Sequence, residues 1–334
     1  MIGGAGYFGH LLVEDLRQHA DAEVVVPDRS LRLAAVAPAL EGVQIAICAA
    51  GPYQGLPLTL PMLCLERGIH YIDLTDDRSY LGRVQALVRA RPDSAALPAV
   101  CSGWSAVPAL SALLAKIAIE DLHSVERLDI QIAPGNRAPR GRGTVLSLLD
   151  SIGRSFAIWD GGAWRTVRGG TEPRVFQFPL PVGARTGYLV DVPDHEIFPG
   201  LFQARAVAFR VGAEIPVLNL GISLMARLPC RDWTPWASAL RRTVALLGFL
   251  GHDWGAVGVE ARGPEGGRRA SVVAERGGPR IPVMPAAVMA AMLASGEADF
   301  HGTPPLDRWI TRERLGSECE RRGFRLLVEE IPRG

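Results

Sequence analysis

A glycine-rich hexapeptide near the start of the chain has the spacing of a phosphate-binding turn. In such a turn the first glycine permits the tight bend, the second lets the backbone approach a pyrophosphate, and the third lets helix and strand pack closely. The N–H groups at the start of the following helix then face the phosphates with a partial positive charge. The motif predicts a dinucleotide site, and a plain strand-to-helix turn is the alternative. Its cofactor-binding residues would be Gly4, Gly6, Tyr7, Phe8 and Gly9.

A charged triplet, Asp28-Arg29-Ser30, follows the glycine motif after a β-branched stretch. A carboxylate about 20 residues after the motif would accept hydrogen bonds from the ribose hydroxyls of NAD, whereas an arginine there would suit the 2′-phosphate of NADP. Because Asp28 and Arg29 are adjacent, the sequence leaves the cofactor open between NADP and NAD. A solvated turn is the alternative for all three residues.

Three acidic residues lie at or just after the end of the apolar segment Ile69–Leu74: Asp73 and, as the preferred candidates for chemistry, Asp76 and Asp77. They would lie at the carboxyl end of a strand, where open α/β sheets bind ligands. A carboxylate there could orient an amine or act as a general acid or base, and capping of the next helix is the alternative. His195 is a third candidate for proton transfer, although the start of a helix explains its surroundings equally well.

Hydroxyl and guanidinium groups provide the candidates for substrate binding. Ser102 and Ser105 lie between a strand and a helix, where hydroxyls and N–H groups could hold a substrate carboxylate, with helix capping as the alternative. Arg137 and Arg140 precede another helix and could bind a carboxylate through both nitrogens, or else belong to a solvated loop or a subunit contact. We predict no metal site, because His195 lacks the HExxH spacing and the five cysteines form no CxxC pair.

Short apolar strands alternate with helical patterns through the first third of the chain, which predicts parallel βαβ units. The sequence therefore predicts an α/β fold with a Rossmann-type sheet. Its first strand should be shortened, because only Met1, Ile2 and Gly3 precede the motif, and the natural start of the protein could lie upstream. Glu23–Val26 is a predicted strand. The third strand should be missing, because the helical pattern Leu31–Leu40 leads directly to the strand Val43–Ala49.

The predicted secondary structure changes near Glu120, where the alternation of strands and helices ends. Residues 121–280 are rich in strand patterns, among them Ile215–Leu228, and we predict a second α+β domain with a mixed or antiparallel sheet that serves substrate binding and dimerisation. The helices within residues 281–334 are expected to return to the first domain, residues 1–120.

The composition narrows the class of protein. Among 334 residues, Lys and Arg number 36 and Asp and Glu 35, so the net charge of +1 favours neither nucleic acid nor an anionic membrane as a partner. No apolar run approaches the roughly 20 residues of a membrane span, and no signal peptide is recognisable. Scattered cysteines in odd number fit a reducing compartment. We expect a cytoplasmic homodimer that acts on a small-molecule substrate.

Several segments resemble the saccharopine dehydrogenase NADP-binding domain family, in particular its bacterial saccharopine dehydrogenase-like oxidoreductases. The resemblance runs over roughly residues 3 to 296. The segments that carry it are Ala49–Gly55, which reads AAGPYQG, Gly68–Asp77, Ser105–Ser111, Pro134–Gly141 and Ile281–Ala286. The chain departs from the family in its missing first-strand residues, its absent third strand and Asp28 before the arginine.

The resemblance implies a nicotinamide cofactor across the carboxyl ends of the strands and a second domain that closes over the substrate. It also implies hydride transfer to or from an imine or amine C–N centre of an amino-acid-like substrate. The segment lining the pyrophosphate and the nicotinamide ribose would comprise Ala50, Gly51, Pro52, Tyr53 and Gln54.

Two other functions are compatible with such a fold. A degenerate, non-catalytic protein that binds nucleotide weakly and acts through protein contacts would explain the shortened first strand. A short-chain carbonyl reductase or epimerase would need a Tyr-x-x-x-Lys pair, but the one lysine, Lys116, follows Ala112 by four residues.

Overall fold

The computed structural model describes residues 1–27, 36–92, 96–137, 142–228, 232–246 and 248–331. The chain forms two compact units, and each is built from two separate stretches of sequence. Unit 1 comprises Met1–Leu110 and Pro282–Trp309, and unit 2 comprises Ser111–Ile281 and Ile310–Gly334.

Unit 1 contains a three-stranded parallel sheet in the order β1-β2-β3. Its strands are β1 (Ile45–Cys48), β2 (His70–Asp73) and β3 (Val100–Cys101), and its helices are α1 (Tyr7–His19), α2 (Thr59–Arg67), α3 (Arg78–Arg89) and α9 (Met284–Ala294). A helix follows each of β1 and β2, and the strands are buried along most of their length, as is typical of a parallel sheet covered on both faces. The predicted α/β fold with a Rossmann-type sheet is confirmed.

Helix α9 shows how unit 1 encloses its sheet. Nearly every residue of this helix is buried, including Met284, Met289 and Leu293. A helix that is apolar on all sides needs neighbours on all sides, and α9 packs against α1, β1 and β2. The second stretch of unit 1 thus completes a core that the first stretch begins.

The first strand is reduced to one residue, as predicted. Ile2 forms a single parallel bridge with Cys48 of β1. The predicted strand Glu23–Val26 is absent, since residues 22–27 form no strand. The N-terminal ammonium of Met1 donates to the carbonyl oxygen of Val25 at 2.5 Å. A first strand this short offers no ladder of N–H and C=O groups with which a second strand could pair.

Unit 2 contains a mixed seven-stranded sheet in the order β12-β11-β10-β4-β9-β8-β7, in which only β4 and β9 run parallel to each other. The strands are β4 (Arg127–Pro134), β7 (Arg174–Gln177), β8 (Ala184–Leu189), β9 (Val207–Val211), β10 (Gly255–Gly263), β11 (Gly266–Ala274) and β12 (Phe324–Ile331), and β5 (Ser155–Asp160) with β6 (Ala163–Arg168) forms a separate hairpin. The helices are α4 (Ser111–Ala118), α5 (Arg142–Ser151), α6 (Asp194–Phe202), α7 (Pro216–Arg227), α8 (Ala237–Leu246) and α10 (Arg312–Arg321). The predicted mixed sheet of an α+β unit is confirmed.

Two segments differ from their sequence-based interpretation. The predicted strand Ile215–Leu228 is wrong: the segment forms helix α7, with Pro216 in its first turn, where proline costs no hydrogen bond. The stretch 310–334, expected to return to the first domain, is instead part of unit 2. The reason is β12, which pairs with β11 over eight residues from Phe324 to Ile331.

Buried charges lie on one face of the unit 2 sheet. Asp129 on β4 is almost fully buried and meets three arginines. Its Oδ2 lies 2.7 Å from Arg127 Nε and 2.6 Å from Arg174 Nη1, and its Oδ1 lies 2.9 Å from Nη1 of the buried Arg210. Arg174 also reaches Glu260 on β10, at 3.1 Å. Ionic contacts thereby connect β4, β7, β9 and β10.

We predict that Asp129→Ala lowers the free energy of unfolding by about 3–5 kcal/mol, because it leaves the buried guanidinium of Arg210 without its carboxylate. Urea denaturation measures the change. Glu329→Ala is the matched control: Glu329 is exposed and meets Arg269 at 3.3 Å, so its loss should cost less than about 1 kcal/mol. Equal losses in the two variants would contradict the prediction.

Candidate cofactor and substrate site

Loops that follow the strands of unit 1 meet at one edge of its sheet. The glycine motif follows Ile2, residues 49–55 follow β1, residues 74–77 follow β2 and residues 102–105 follow β3. Because these strands are parallel, their carboxyl ends share an edge, which is where such sheets bind ligands. Most of the residues predicted for cofactor binding and catalysis belong to these loops.

The glycine motif forms a tight turn against the start of α1. The N–H of Gly6 donates to the carbonyl oxygen of Gly3 at 2.8 Å. A Cβ atom at Gly9 would lie 2.1 Å from that same oxygen and 2.7 Å from the Cα of Gly4, and one at Gly4 would lie 2.7 Å from the side chain of Val26. Backbone atoms therefore exclude a side chain at Gly9, the position for which the motif predicts close packing, whereas at Gly4 the obstacle is the side chain of Val26.

Gly6, Tyr7 and Phe8, at the start of α1, are half-buried. A Cβ at Gly6 would have one neighbour within 4 Å among the described residues, the oxygen of Gly3 at 3.1 Å. Helix α1 has Gly6 at its N-cap, receives no hydrogen bond from a capping side chain in the described part of the chain, and carries no acidic residue in its first turn. Backbone N–H groups and the positive end of the helix dipole thus suit an anion. Pyrophosphate binding by Gly6, Tyr7 and Phe8 stays a prediction.

The loop after β1 lies directly beside the glycine turn. A Cβ at Gly3 would lie 2.6 Å from the carbonyl carbon of Ala49 and 2.6 Å from the nitrogen of Ala50. Gly51, Pro52 and Gln54 are exposed, and the Gly51–Pro52 peptide bond is cis. The structure therefore brings the predicted residues of this loop to the same edge as the glycine motif.

Tyr53 differs from its neighbours in this loop because its side chain is buried. Its hydroxyl donates to the carbonyl oxygen of Cys48 at 2.7 Å and accepts from the N–H of Leu74 at 3.1 Å. These contacts do not support a place for the Tyr53 side chain along the pyrophosphate or the nicotinamide ribose, which the resemblance implied for this segment. The hydroxyl instead joins the ends of β1 and β2, so a contact with a cofactor would come from the Tyr53 backbone.

Asp73, the last residue of β2, is the hydrogen-bonding centre of this edge. Its side chain is fully buried. Oδ1 accepts from the N–H of Thr75 at 3.0 Å and of Gly103 at 2.9 Å, and Oδ2 accepts from the hydroxyl of Ser102 at 2.8 Å. Its carbonyl oxygen accepts from the N–H of Trp104 at 2.8 Å. Asp73 therefore ties the loop after β3 to the end of β2.

Burial raises the pKa of Asp73 to about 6, against the opposing effect of the hydrogen bonds from Gly103, Thr75 and Ser102. The carboxylate needs these donors because a buried charge without them would be far more costly. Sequence reasoning ranked Asp73 below the two aspartates that follow it. The available signal was a charged residue at the end of an otherwise apolar strand.

The two aspartates predicted for catalysis lie just beyond β2. Asp77 is the N-cap of α3, and its Oδ1 accepts from the N–H of Tyr80 at 2.6 Å. The N–H of Asp77 donates to the hydroxyl of Thr75 at 3.1 Å. Asp76 is half-buried. The capping alternative thus describes Asp77 in this structure, and catalytic roles for Asp76 and Asp77 stay predictions.

The two serines predicted for substrate binding occupy different positions in the loop after β3. Ser102 is buried and donates its hydroxyl to Asp73, so its contacts here are structural. Ser105 is half-buried, and its N–H donates to the carbonyl oxygen of Gly103 at 2.8 Å. Of the two, Ser105 has the side chain that reaches the surface.

The remaining predicted residues lie in unit 2 or outside the described part of the chain. His195 is fully buried; its Nε2 accepts from the N–H of Phe209 at 2.9 Å, and its ring stacks on Phe156. This position does not support proton transfer to a substrate, because the ring holds the backbone of β9 inside the core. Arg137 is exposed. Residues outside the described ranges are Asp28, Arg29, Ser30 and Arg140.

A carboxylate–imidazole pair that the sequence did not reveal lies near Arg137. Glu214 Oε1 lies 2.6 Å from Nδ1 of His252, whose ring stacks on Trp254 at 3.7 Å, and the N–H of Arg137 donates to the carbonyl oxygen of His252 at 3.0 Å. Burial acts to raise the pKa of Glu214, but hydrogen bonds from His252 and from the N–H of Asn136 outweigh it and hold the pKa below its ordinary value. The pair is 38 residues apart in sequence, so no local spacing indicates it.

Two further properties concern metals and membranes. The described residues contain no cluster of three or more His, Cys, Asp or Glu side chains that could hold a metal ion. Within the same residues, none of the helices has both the length and the apolar character needed to cross a membrane.

Comparison with known proteins gives weak structural likeness only. No family model matches the chain, and neither does any curated protein. An amine dehydrogenase from Mycobacterium smegmatis is 9% identical, with a TM-score of 0.41, over 86% of this chain and 81% of its own. GenD2 from gentamicin A biosynthesis, solved in complex with NAD, is 11% identical, with a TM-score of 0.41, and the match covers 90% of this chain and 87% of GenD2. A levoglucosan dehydrogenase in complex with NADH and levoglucosan is 11% identical, with a TM-score of 0.40, and the match covers 99% of this chain and 98% of the dehydrogenase.

We predict that Asp73 makes stability fall as the pH rises from about 4 to 6. Its pKa in the folded protein, about 6, exceeds the unfolded value of about 3.9. The protonated form therefore stabilises the fold below about pH 4, and this contribution, about 3 kcal/mol, is lost as the pH rises through 6. The measurement is the free energy of unfolding of wild type minus that of Asp73→Asn across this range.

The difference between the two proteins isolates Asp73, because the other titrating groups are common to both. A difference that stays constant from pH 4 to 7 would contradict the prediction. Ser102→Ala provides a second test: it removes a donor to the charged form, so the loss of stability should shift to higher pH.

Proposed function

We propose that the protein is an NAD(P)-dependent oxidoreductase of the saccharopine dehydrogenase-like type. Its reaction would be hydride transfer to or from an imine or amine C–N centre of an amino-acid-like substrate. The observation that supports this most directly is the glycine turn, in which backbone atoms leave no room for a Cβ at Gly9 and the start of α1 receives no hydrogen bond from a capping side chain among the described residues. The substrate class rests on the sequence resemblance.

The residues of unit 1 would orient the cofactor. Gly6, Tyr7 and Phe8 would contact its pyrophosphate at the start of α1, and the exposed loop with Gly51, Pro52 and Gln54 would line the ribose and nicotinamide half. Bound there, a nicotinamide would supply or accept the hydride. The choice between NAD and NADP rests on Asp28 and Arg29, which lie outside the described residues.

The protein must also move a proton and hold the substrate. We assign proton transfer to Asp76 or Asp77, which follow β2 at the edge that carries the glycine turn. Ser105 is the proposed contact of a substrate carboxylate at this edge, and substrate binding by Arg137 and Arg140 stays a prediction from the sequence. Asp73 would act indirectly, since it holds the loop that carries Ser105.

The second candidate function is a non-catalytic protein that binds nucleotide weakly and acts through protein contacts. The reduction of the first strand to the single bridge of Ile2 favours it. Such a protein would bind the cofactor without turning over any substrate. A screen of amino acids paired with keto acids, followed by NADH and NADPH absorbance, separates the two functions.

We predict that Gly6→Val weakens NADH or NADPH binding at least about tenfold, equivalent to ~1.4 kcal/mol, because the valine occupies the surface where the pyrophosphate would lie. Titration of cofactor fluorescence measures the affinity. The control is Gly82→Val in α3, where the described residues leave the new side chain free space. Wild type and Gly6→Val binding equally poorly would overturn the redox proposal.

We predict that Asp76→Asn or Asp77→Asn lowers kcat by about 10²–10⁴-fold with the melting temperature unchanged. Asparagine caps helices as well as aspartate does, so Asp77→Asn removes the charge and keeps the hydrogen bond to Tyr80 N. Asp77→Ala is the structural control and should cost about 1 kcal/mol of stability. Full activity in both asparagine variants would exclude these two carboxylates from the chemistry.

A further inference from the structure

Helix α7 of unit 2 carries an apolar stripe on its exposed side. Val217, Leu220 and Leu224 are exposed by 60%, 66% and 59%, and together with Gly221 they lie within an arc of about 100° around the helix axis. We call these four residues the α7 stripe. The opposite side of the helix carries the buried Asn219 and Ala226. Helix α7 is therefore apolar toward solvent as well as toward its own core.

Exposed apolar side chains concentrate around this helix. Among the described residues, half of the large hydrophobic side chains with high exposure fall between residues 217 and 250, and their exposure ranges from 42% to 71%. The members outside the stripe are Leu228, Trp236, Phe249 and Leu250. Together these side chains offer several hundred Å² of apolar surface, the size at which a patch marks an interaction site, and a large part of the roughly 800 Å² per partner in a stable complex.

These additional side chains flank α7. Ile222 and Met225 of α7 pack in one cluster with Trp233 and Ala237, which places the chain around Trp236 beside the helix. At the other end, a Cβ at Gly251 would lie 2.7 Å from Oε2 of Glu214, which precedes α7 by two residues. Leu250 is the immediate neighbour of Gly251, so it lies near the start of the helix.

The charges around the stripe point to its occupant. Between Val211 and Leu228 the only charged residues are Glu214 and Arg227, one at each end of α7. A helix that lies on an anionic membrane carries several Lys and Arg residues on its polar face, whereas α7 has a single basic residue, Arg227 in its last turn. A two-fold contact places the same surface on both partners. An uncharged stripe can meet its own copy without like-charge repulsion.

Gly221 gives a second, independent indication. Glycine in the interior of a helix is less favourable than alanine, and a Cβ at Gly221 would meet no atom of the described residues within 4 Å. The fold of the single chain therefore leaves room for a larger residue at this position. A small residue in the middle of an apolar stripe allows a second helix to approach closely.

We infer that the α7 stripe is the contact surface between two copies of this chain, packed as an antiparallel pair of α7 helices about a two-fold axis. Leu220 and Leu224 would be the buried anchors, and Gly221 would lie at the closest approach. This inference concerns the assembly and is independent of the proposed reaction.

Sedimentation equilibrium over a range of protein concentrations tests the inference. Wild type should have twice the mass of one chain, and Leu220→Glu should raise the dissociation constant at least about a hundredfold, because each dimer would bury two like charges at its centre. The matched control is Leu180→Glu, the same substitution at another exposed leucine of unit 2, which should leave the dissociation constant unchanged. Circular dichroism shows whether both variants keep their helix content.

Gly221→Ala should change the stability of α7 and the self-association of the protein in opposite directions. The alanine should raise the thermal stability of α7, and it should weaken self-association because it adds a methyl group where the helices approach. Gly316→Ala in α10, another helical glycine with no described atom within 4 Å of its Cβ position, should leave self-association unchanged. A monomeric wild type, a dimer insensitive to Leu220→Glu, or binding to phosphatidylserine vesicles that Leu220→Glu abolishes would overturn the inference.

Discussion

The carboxylate of Asp73 is the interaction on which the candidate site depends. It is buried at the end of β2, and it accepts hydrogen bonds from Thr75, Ser102 and Gly103. Two loops at the ligand-binding edge therefore take their positions from one charge. Tyr53 does the same for a third loop by joining the ends of β1 and β2 with its hydroxyl. Polar groups beneath the edge are used for structure, which leaves the glycine turn and the exposed tips of the loops for ligands.

Much of the fold could be predicted from periodicity and glycine spacing, because strands and helices of unit 1 are short, apolar and separated by clear turns. The failures have physical causes. Glu23–Val26 has the composition of a strand, but a strand also needs a partner, and the shortened first strand does not provide one. Ile215–Leu228 has apolar residues on two sides of the helix, so the sequence does not show the regular spacing of apolar residues that is typical of a helix. Only the position of Pro216 indicates a helix start. The pairing of β12 with β11 is a long-range contact that no local pattern reveals.

The sequence predicted the shape of the backbone turn at the candidate site, because that shape depends on glycine spacing. It did not predict which side chains are buried, because burial depends on the whole fold. The predicted tight turn forms around Gly4, Gly6 and Gly9, and their role in cofactor binding stays a prediction. Residue type alone could not show that Tyr53 and His195 point into the core. The same limit applies to the Glu214–His252 pair, which the fold assembles from distant parts of the sequence.

Each unit is composed of two stretches separated by much of the chain, and this has a consequence for synthesis. Helix α9, which fills the core of unit 1, leaves the ribosome only after all strands from β4 to β11. Nascent chains generally fold from the N-terminal side as they emerge. The first 110 residues would therefore wait with an uncovered apolar face, and the outer edge of β11 would stay unpaired until β12 followed. Apolar surface and unpaired strand edges that are exposed during folding promote aggregation, so efficient production of this protein should depend on chaperones more than its modest length suggests.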